Sequence, residues 1–230
     1  MLPFRRPLAR VGGILWAISF SVASAGSLPE GFVYLSDADP TIVQDMRYAG
    51  TANFTRAPVP GYRAAECVLT TEAAKALARV QQNLRAKKFG LKVWDCYRPA
   101  KAVKAFVAWV GASRGFDKDH HPRVTRSKLI SEGYIGKRSG HSAGSTVDLT
   151  LIGPDGRELD MGTGFDFFDP LARTASGGIS RSAKANRGLL LRAMKQQGFG
   201  NYAAEWWHFS LERQPFSGRV FDFDIVPRGG

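Results

Sequence analysis

Helix and strand signals are mixed along this chain, but without the even strand–helix–strand rhythm that a parallel sheet requires. The clearest stretch begins at Thr70, which can cap a helix. Glu72 falls in its first turn, and Ala73, Leu77, Val80 and Leu84 recur on one face. Lys87 and Lys88 suit the C-terminal end, where Gly90 offers a stop. A strand from Leu91 to Tyr97 follows, then Arg98-Pro99, then a helix from Ala100 to Val110 that turns Val103, Phe106, Val107 and Val110 inward. Val147 to Ile152 reads as a strand, Ala183 to Gln197 as a third helix ended by Gly198, and Glu205 to Leu211 as a short aromatic strand. The tail from Val220 to Val226 reads as one more strand, while residues 26–66 and 111–139 read as irregular. The pattern predicts an α+β fold: a single compact domain over residues 26–230, with a small, mainly antiparallel sheet flanked by helices. At 230 residues the chain is long enough to bury one core.

The N-terminus constrains the compartment. Arg5, Arg6 and Arg10 precede an apolar stretch, Val11 to Ala23, and Ala23-Ser24-Ala25 offers small residues for cleavage. This three-part layout predicts a signal peptide over residues 1–25 and an exported, periplasmic mature protein. The alternative, a retained anchor helix, needs a longer apolar run with less Gly and Ser. No other run is long enough to span a membrane, so no stable membrane insertion is expected after cleavage. In an exported chain the two cysteines, Cys67 and Cys96, permit a disulfide. The alternative is two free buried thiols, and the oxidising compartment favours the bridge. The net charge of +12 raises the question of nucleic acid, but Lys and Arg are scattered and no nucleic-acid module is present. A solvated basic surface is the simpler reading, and no nucleic-acid partner is expected.

Only four histidines occur. His141 sits in Ser139-Gly140-His141-Ser142-Ala143-Gly144, just before the strand that carries Asp148. On an unbroken strand the two would face opposite ways, but glycines at 140 and 144 let the backbone bend so that they converge. The second cluster is Glu205-Trp206-Trp207-His208. Two imidazoles and one carboxylate suit zinc and leave its fourth position open, as catalytic sites do. Taken alone, each piece has an ordinary explanation: a structural histidine, or an aspartate in a turn or cap. His120 and His121 fit no such pattern and read as solvated loop residues. Trp206, Trp207, Phe165, Phe167 and Phe168 read as packing around a small pocket.

Ser139-x-His141-x-x-Gly144-x-x-x-Asp148, followed far downstream by Glu205-Trp206-Trp207-His208, resembles the zinc signature of the VanX-type D-Ala-D-Ala dipeptidases, within the wider M15 group of zinc peptidases. Asp95-Cys96-Tyr97-Arg98-Pro99, the stretch from Met161 to Phe168, and Met46-Arg47-Tyr48-Ala49 with Asn53-Phe54 also resemble family segments, in the right order from about residue 29 to about 225. The resemblance implies one zinc ion per chain, held by His141, Asp148 and His208. It implies Glu205 as general base and Arg98 as the group that stabilises the oxyanion. Ser139 falls where the family holds the substrate carboxylate, and Tyr48 with Asp166 where it holds the free amine. For Arg98 the plain alternative is a surface ion pair, for Glu205 a carboxylate that only orients a ligand, and for Ser139 a turn residue.

The function so implied is hydrolysis of a small D,D-dipeptide, D-alanyl-D-alanine. Two other readings compete: a D,D-carboxypeptidase or endopeptidase acting on wall peptides, which needs an open groove, and a zinc-stabilised domain that merely binds wall peptides. The second of these has no need of Glu205 or Arg98. Oligomeric state is not legible. Family members that serve glycopeptide resistance act in the cytoplasm, so an exported chain points instead to D-alanine recovered from wall turnover.

Overall fold

The computed structural model describes residues 28–112 and 114–229. The predicted signal peptide lies outside the described residues. The architecture is α+β, a single domain built on a five-stranded sheet. In chain order the elements are β1 (Phe32–Tyr34), α1 (Leu35–Ala38), β2 (Val43–Gln44), β3 (Val68–Thr70), α2 (Thr71–Arg85), β4 (Gly90–Asp95), α3 (Ala100–Gly111), β5 (Thr146–Ile152), α4 (Arg181–Lys195), β6 (Phe199–Asn201) and β7 (His208–Leu211). The main sheet runs β2-β4-β5-β7-β6, and β1 pairs with β3 in a separate ribbon. Only the β2–β4 pairing is parallel; the other three are antiparallel.

Local chemistry accounts for the helices. Thr70 and Ser180 cap α2 and α4 by accepting from the amides of Ala73 and Ala183. The expected stop at Gly90 is displaced: α2 ends at Arg85, Lys88 takes the left-handed turn at φ 63°, and Gly90 opens β4. A side chain at Gly90 would press on Ile152 of β5, with Cβ 3.0 Å from its Cγ1, so this glycine serves strand packing.

The sheet is sided. Leu91, Val93, Val147, Leu149, Leu151, Phe209 and Leu211 join Leu77, Val80 and Leu84 of α2 and Leu190 and Met194 of α4 in one buried core. Period-two alternation then sends Asp148 and His208 to the opposite face. A second, aromatic core lies there, built from Phe32, Tyr48, Phe54, Tyr62, Tyr97, Phe106 and Phe168 among others. The tail joins this core and is not the strand its composition suggests. Phe223 stacks on Tyr97 with ring centroids 4.1 Å apart, and Ile225 makes a single bridge to Tyr62. Cys67 and Cys96 form a disulfide, joining the start of β3 to the end of β4. Closing a loop of 29 residues in this way is worth roughly 3–4 kcal/mol in the chain-entropy picture.

Candidate active site

Strand pairing assembles the centre. Asp148 on β5 stands opposite His208 on β7 and opposite Asp95 on β4, so three side chains from three strands form a row. His141 comes from a short 3-10 turn, Gly140–Ala143, whose cap is Ser139. The turn closes at Gly144, where φ is 79° and a Cβ would stand 2.2 Å from the Phe32 ring, so both conformation and space demand glycine. That reversal lets His141 swing back over β5.

The ligand atoms of His141, Asp148 and His208 all lie within 4.8 Å of one another, the one such group among the described residues. His141 Nε2 is 3.2 Å from Asp148 Oδ2 and 3.3 Å from His208 Nδ1, which is 3.0 Å from Asp148 Oδ1. The tautomer of His141 is set from behind. Its Nδ1 lies 2.7 Å from the Cys96 carbonyl, which can only accept, so Nδ1 carries the proton and Nε2 presents a lone pair. Asp148 Oδ1 is buried yet accepts no well-aligned hydrogen bond. A converging imidazole lone pair and an orphaned carboxylate oxygen fit a divalent cation. Burial alone would raise the Asp148 carboxyl, but the two histidines outweigh it and hold it below the usual range. Burial likewise opposes a charge on His208, and Asp148 overrides it. A metal ion would supply the positive charge that the buried Asp148 carboxylate favours.

Glu205 sits in the turn before β7. Asn201 clamps this turn, its amide donating to the carbonyls of Glu205 and His208. Glu205 Oε2 is 3.6 Å from His208 Nδ1. Burial pushes its pKa up to about 7, against the pull of His208. Arg98 is mostly buried, its side chain 14% exposed. Its Nε donates to Asp95 Oδ2 at 2.8 Å, its Nη2 lies 2.7 Å from that oxygen and 3.4 Å from Asp148 Oδ2, and it rests against the Tyr48 and Phe106 rings.

A cavity of about 290 Å³ opens beside this centre, lined by Arg98, Glu205, His208, Tyr48, Asp166 and Ser139 among others. Asp166 is 5% exposed, and Tyr48 donates to its Oδ2 at 2.8 Å. No cation pairs with it among the described residues. Burial, reinforced by the charge of Asp148, pushes its carboxyl well above the ordinary range. Its backbone is left-handed, φ 54°, and His120 Nδ1 reaches its carbonyl at 3.2 Å.

The structure therefore brings together every residue singled out in the sequence for chemistry or substrate contact. It corrects the reading of His120 and His121 as solvated. His120 braces Asp166, while His121 is 3% exposed and bonds the Val124 carbonyl at 3.0 Å. Of the aromatics expected around the pocket, Phe168 lines the cavity, whereas Trp206 and Trp207 are buried in the helix-side core and Phe165 stacks on Trp94. Sequence reasoning missed Asp95. It is fully buried, accepts from Tyr62 and Arg98, and lies 3.4 Å from His141 Nδ1. The signal that could have found it is an acid ending an apolar strand, three residues before a motif arginine.

A convergent set of two imidazoles, two carboxylates and a clamped arginine beside a small cavity is the machinery of a peptidase. Sequence comparison narrows this class: residues 29–226 match the Peptidase_M15 family, described as D-ala-D-ala dipeptidase, and the chain belongs to that family. It is 37% identical over 198 residues to a D-alanyl-D-alanine dipeptidase of Enterococcus faecium, covering 85% of this chain and 98% of the relative. It is 40% identical over 198 residues to one from Streptomyces coelicolor, with coverage of 85% and 98%. A D-alanyl-D-alanine dipeptidase of Escherichia coli is 31% identical over 172 residues, covering 75% of this chain and 80% of the relative.

Proposed function

We propose that this chain is a zinc-dependent, exported dipeptidase that hydrolyses free D-alanyl-D-alanine to two molecules of D-alanine. The observation that carries the substrate is Asp166, a buried carboxyl facing a small cavity with a tyrosine hydroxyl as its partner and no cation. A free ammonium group would favour and compensate its ionised form, whereas an acylated nitrogen would offer it no cation. A cavity of about 290 Å³ also favours a dipeptide over a wall strand.

His141, Asp148 and His208 would hold the zinc, as a two-histidine, one-carboxylate set that leaves a position open. Zinc, when bound, supplies a Lewis acid and makes hydroxide available near neutral pH. Glu205 takes the proton of the attacking water as the new C–O bond forms, and returns it to the leaving amine as the C–N bond breaks. A carboxyl poised near 7 suits both transfers. Arg98, fixed by Asp95, places a permanent positive charge where the carbonyl oxygen becomes negative.

The test compares kcat/KM for D-Ala-D-Ala and N-acetyl-D-Ala-D-Ala. The free dipeptide should win by on the order of 10⁴-fold, the scale on which a site built around a polar partner rejects analogues lacking it. Near-equal values would make the chain a D,D-carboxypeptidase. Elemental analysis should find about one zinc per chain in protein purified without chelator. Export is supported by the layout of residues 1–25 and by the disulfide. A mature N-terminus at Gly26 in the exported protein is the expected outcome, and an uncleaved cytoplasmic chain would refute it.

A further inference from the structure

A zwitterionic dipeptide brings a carboxylate as well as an ammonium group, and a desolvated carboxylate needs a cation. Two arginines, and no lysine, line the cavity: Arg98 and Arg138. Arg98 is already committed. Asp95 holds its Nε and Nη2, Asp148 takes a further contact, and two aromatic rings fix its plane. Arg138 differs on each count. It is exposed at the cavity wall, no acid lies in ion-pair range, and it makes no side-chain hydrogen bond among the described residues. The segment presenting it is tightly folded, since a Cβ on Gly136 would stand 2.6 Å from the Arg138 carbonyl oxygen. Its neighbour Ser139 lines the same cavity. The Ser139 hydroxyl oxygen accepts from the His141 amide at 3.3 Å, which leaves its proton free to donate.

We propose that Arg138 recognises the C-terminal carboxylate of the substrate, with Ser139 as its hydrogen-bonding companion, and so makes this chain selective for a free C-terminus. The inference rests on the dipeptidase reading above. The cavity then carries Asp166 with Tyr48 for the amine, Arg98 for the reacting carbonyl and Arg138 for the carboxylate. A guanidinium presents a planar fork of donors that matches a carboxylate, and its exposure in the free protein means that no buried charge waits unpaired.

The experiment measures kcat and KM of wild type, Arg138→Gln and Arg138→Lys on D-Ala-D-Ala and on its C-terminal amide. Arg138→Gln should raise KM for the free acid roughly 10- to 100-fold, the scale of a hydrogen bond to a charged group, with kcat nearly unchanged. The amide should be affected little, so the preference for acid over amide collapses. Arg138→Lys should keep much of that preference. An acid-to-amide ratio in Arg138→Gln equal to wild type overturns the inference, whatever happens to overall activity. If wild type cleaves neither substrate, the dipeptidase reading fails and takes this one with it.

Discussion

The two halves of the site are held by different means. Asp148 and His208 stand opposite each other on paired strands, and a continuous ladder of backbone hydrogen bonds fixes their separation. Tyr48 and Asp166 meet across 118 residues, each carried by a turn, and their own hydrogen bond with the brace from His120 joins them. The first arrangement suits groups that must hold a fixed geometry through a reaction. The second suits groups that recognise a ligand, since turns can be reshaped without disturbing the sheet. Substitutions on the strand side should therefore abolish chemistry, while substitutions on the turn side should change which substrate is taken.

The largest effect is expected from His208→Ala. It removes a strand-borne atom of the proposed zinc site, so zinc content by elemental analysis and turnover should both fall to near zero. A variant that retains stoichiometric zinc would break the comparison at its strongest point. If Glu205 is the proposed proton carrier, Glu205→Gln should retain zinc but lose about 10²–10⁴-fold in kcat, since the proposed ligands are untouched. On the turn side, Asp166→Asn should cost D-Ala-D-Ala about 10²-fold in kcat/KM and harm N-acetyl-D-Ala-D-Ala much less. Equal losses on both substrates would place Asp166 with the chemistry instead of recognition. Ser139→Ala should be mildest, about 2- to 10-fold in KM, because Arg138 remains to hold the carboxylate.

Much of this division was legible in the sequence, for local reasons. Caps at Thr70 and Ser180 and the 3.6-residue repeat of apolar side chains are read within a few positions, so α2 and α4 fall close to where their pattern places them. His141 and Asp148 are seven residues apart with glycine between, and Glu205 and His208 sit one helical turn apart in number, so both clusters are visible as short motifs. What was not legible depends on partners distant in sequence. The carboxyl of Asp95 matters because Tyr62, Arg98 and His141 gather around it, and no window of sequence contains all four. His120 looked like a loop residue because the carbonyl it braces is 46 positions away. The tail carries strand-like residues, yet Phe223 stacks on Tyr97 and Ile225 makes only a single bridge, to Tyr62.

The cross-strand pairing of Asp148 with His208 also decides where the chain can tolerate a change of length. An insertion in the exposed turn of residues 154–157, just after β5, lengthens a connection whose ends stay pinned, and adds only slowly growing loop entropy. One residue inserted within β5 or β7 shifts every side chain beyond it to the other face, turning a prospective metal ligand into the helix-covered core and an apolar residue toward the cavity. Length is thus adjustable in that outlying turn and fixed within the strands.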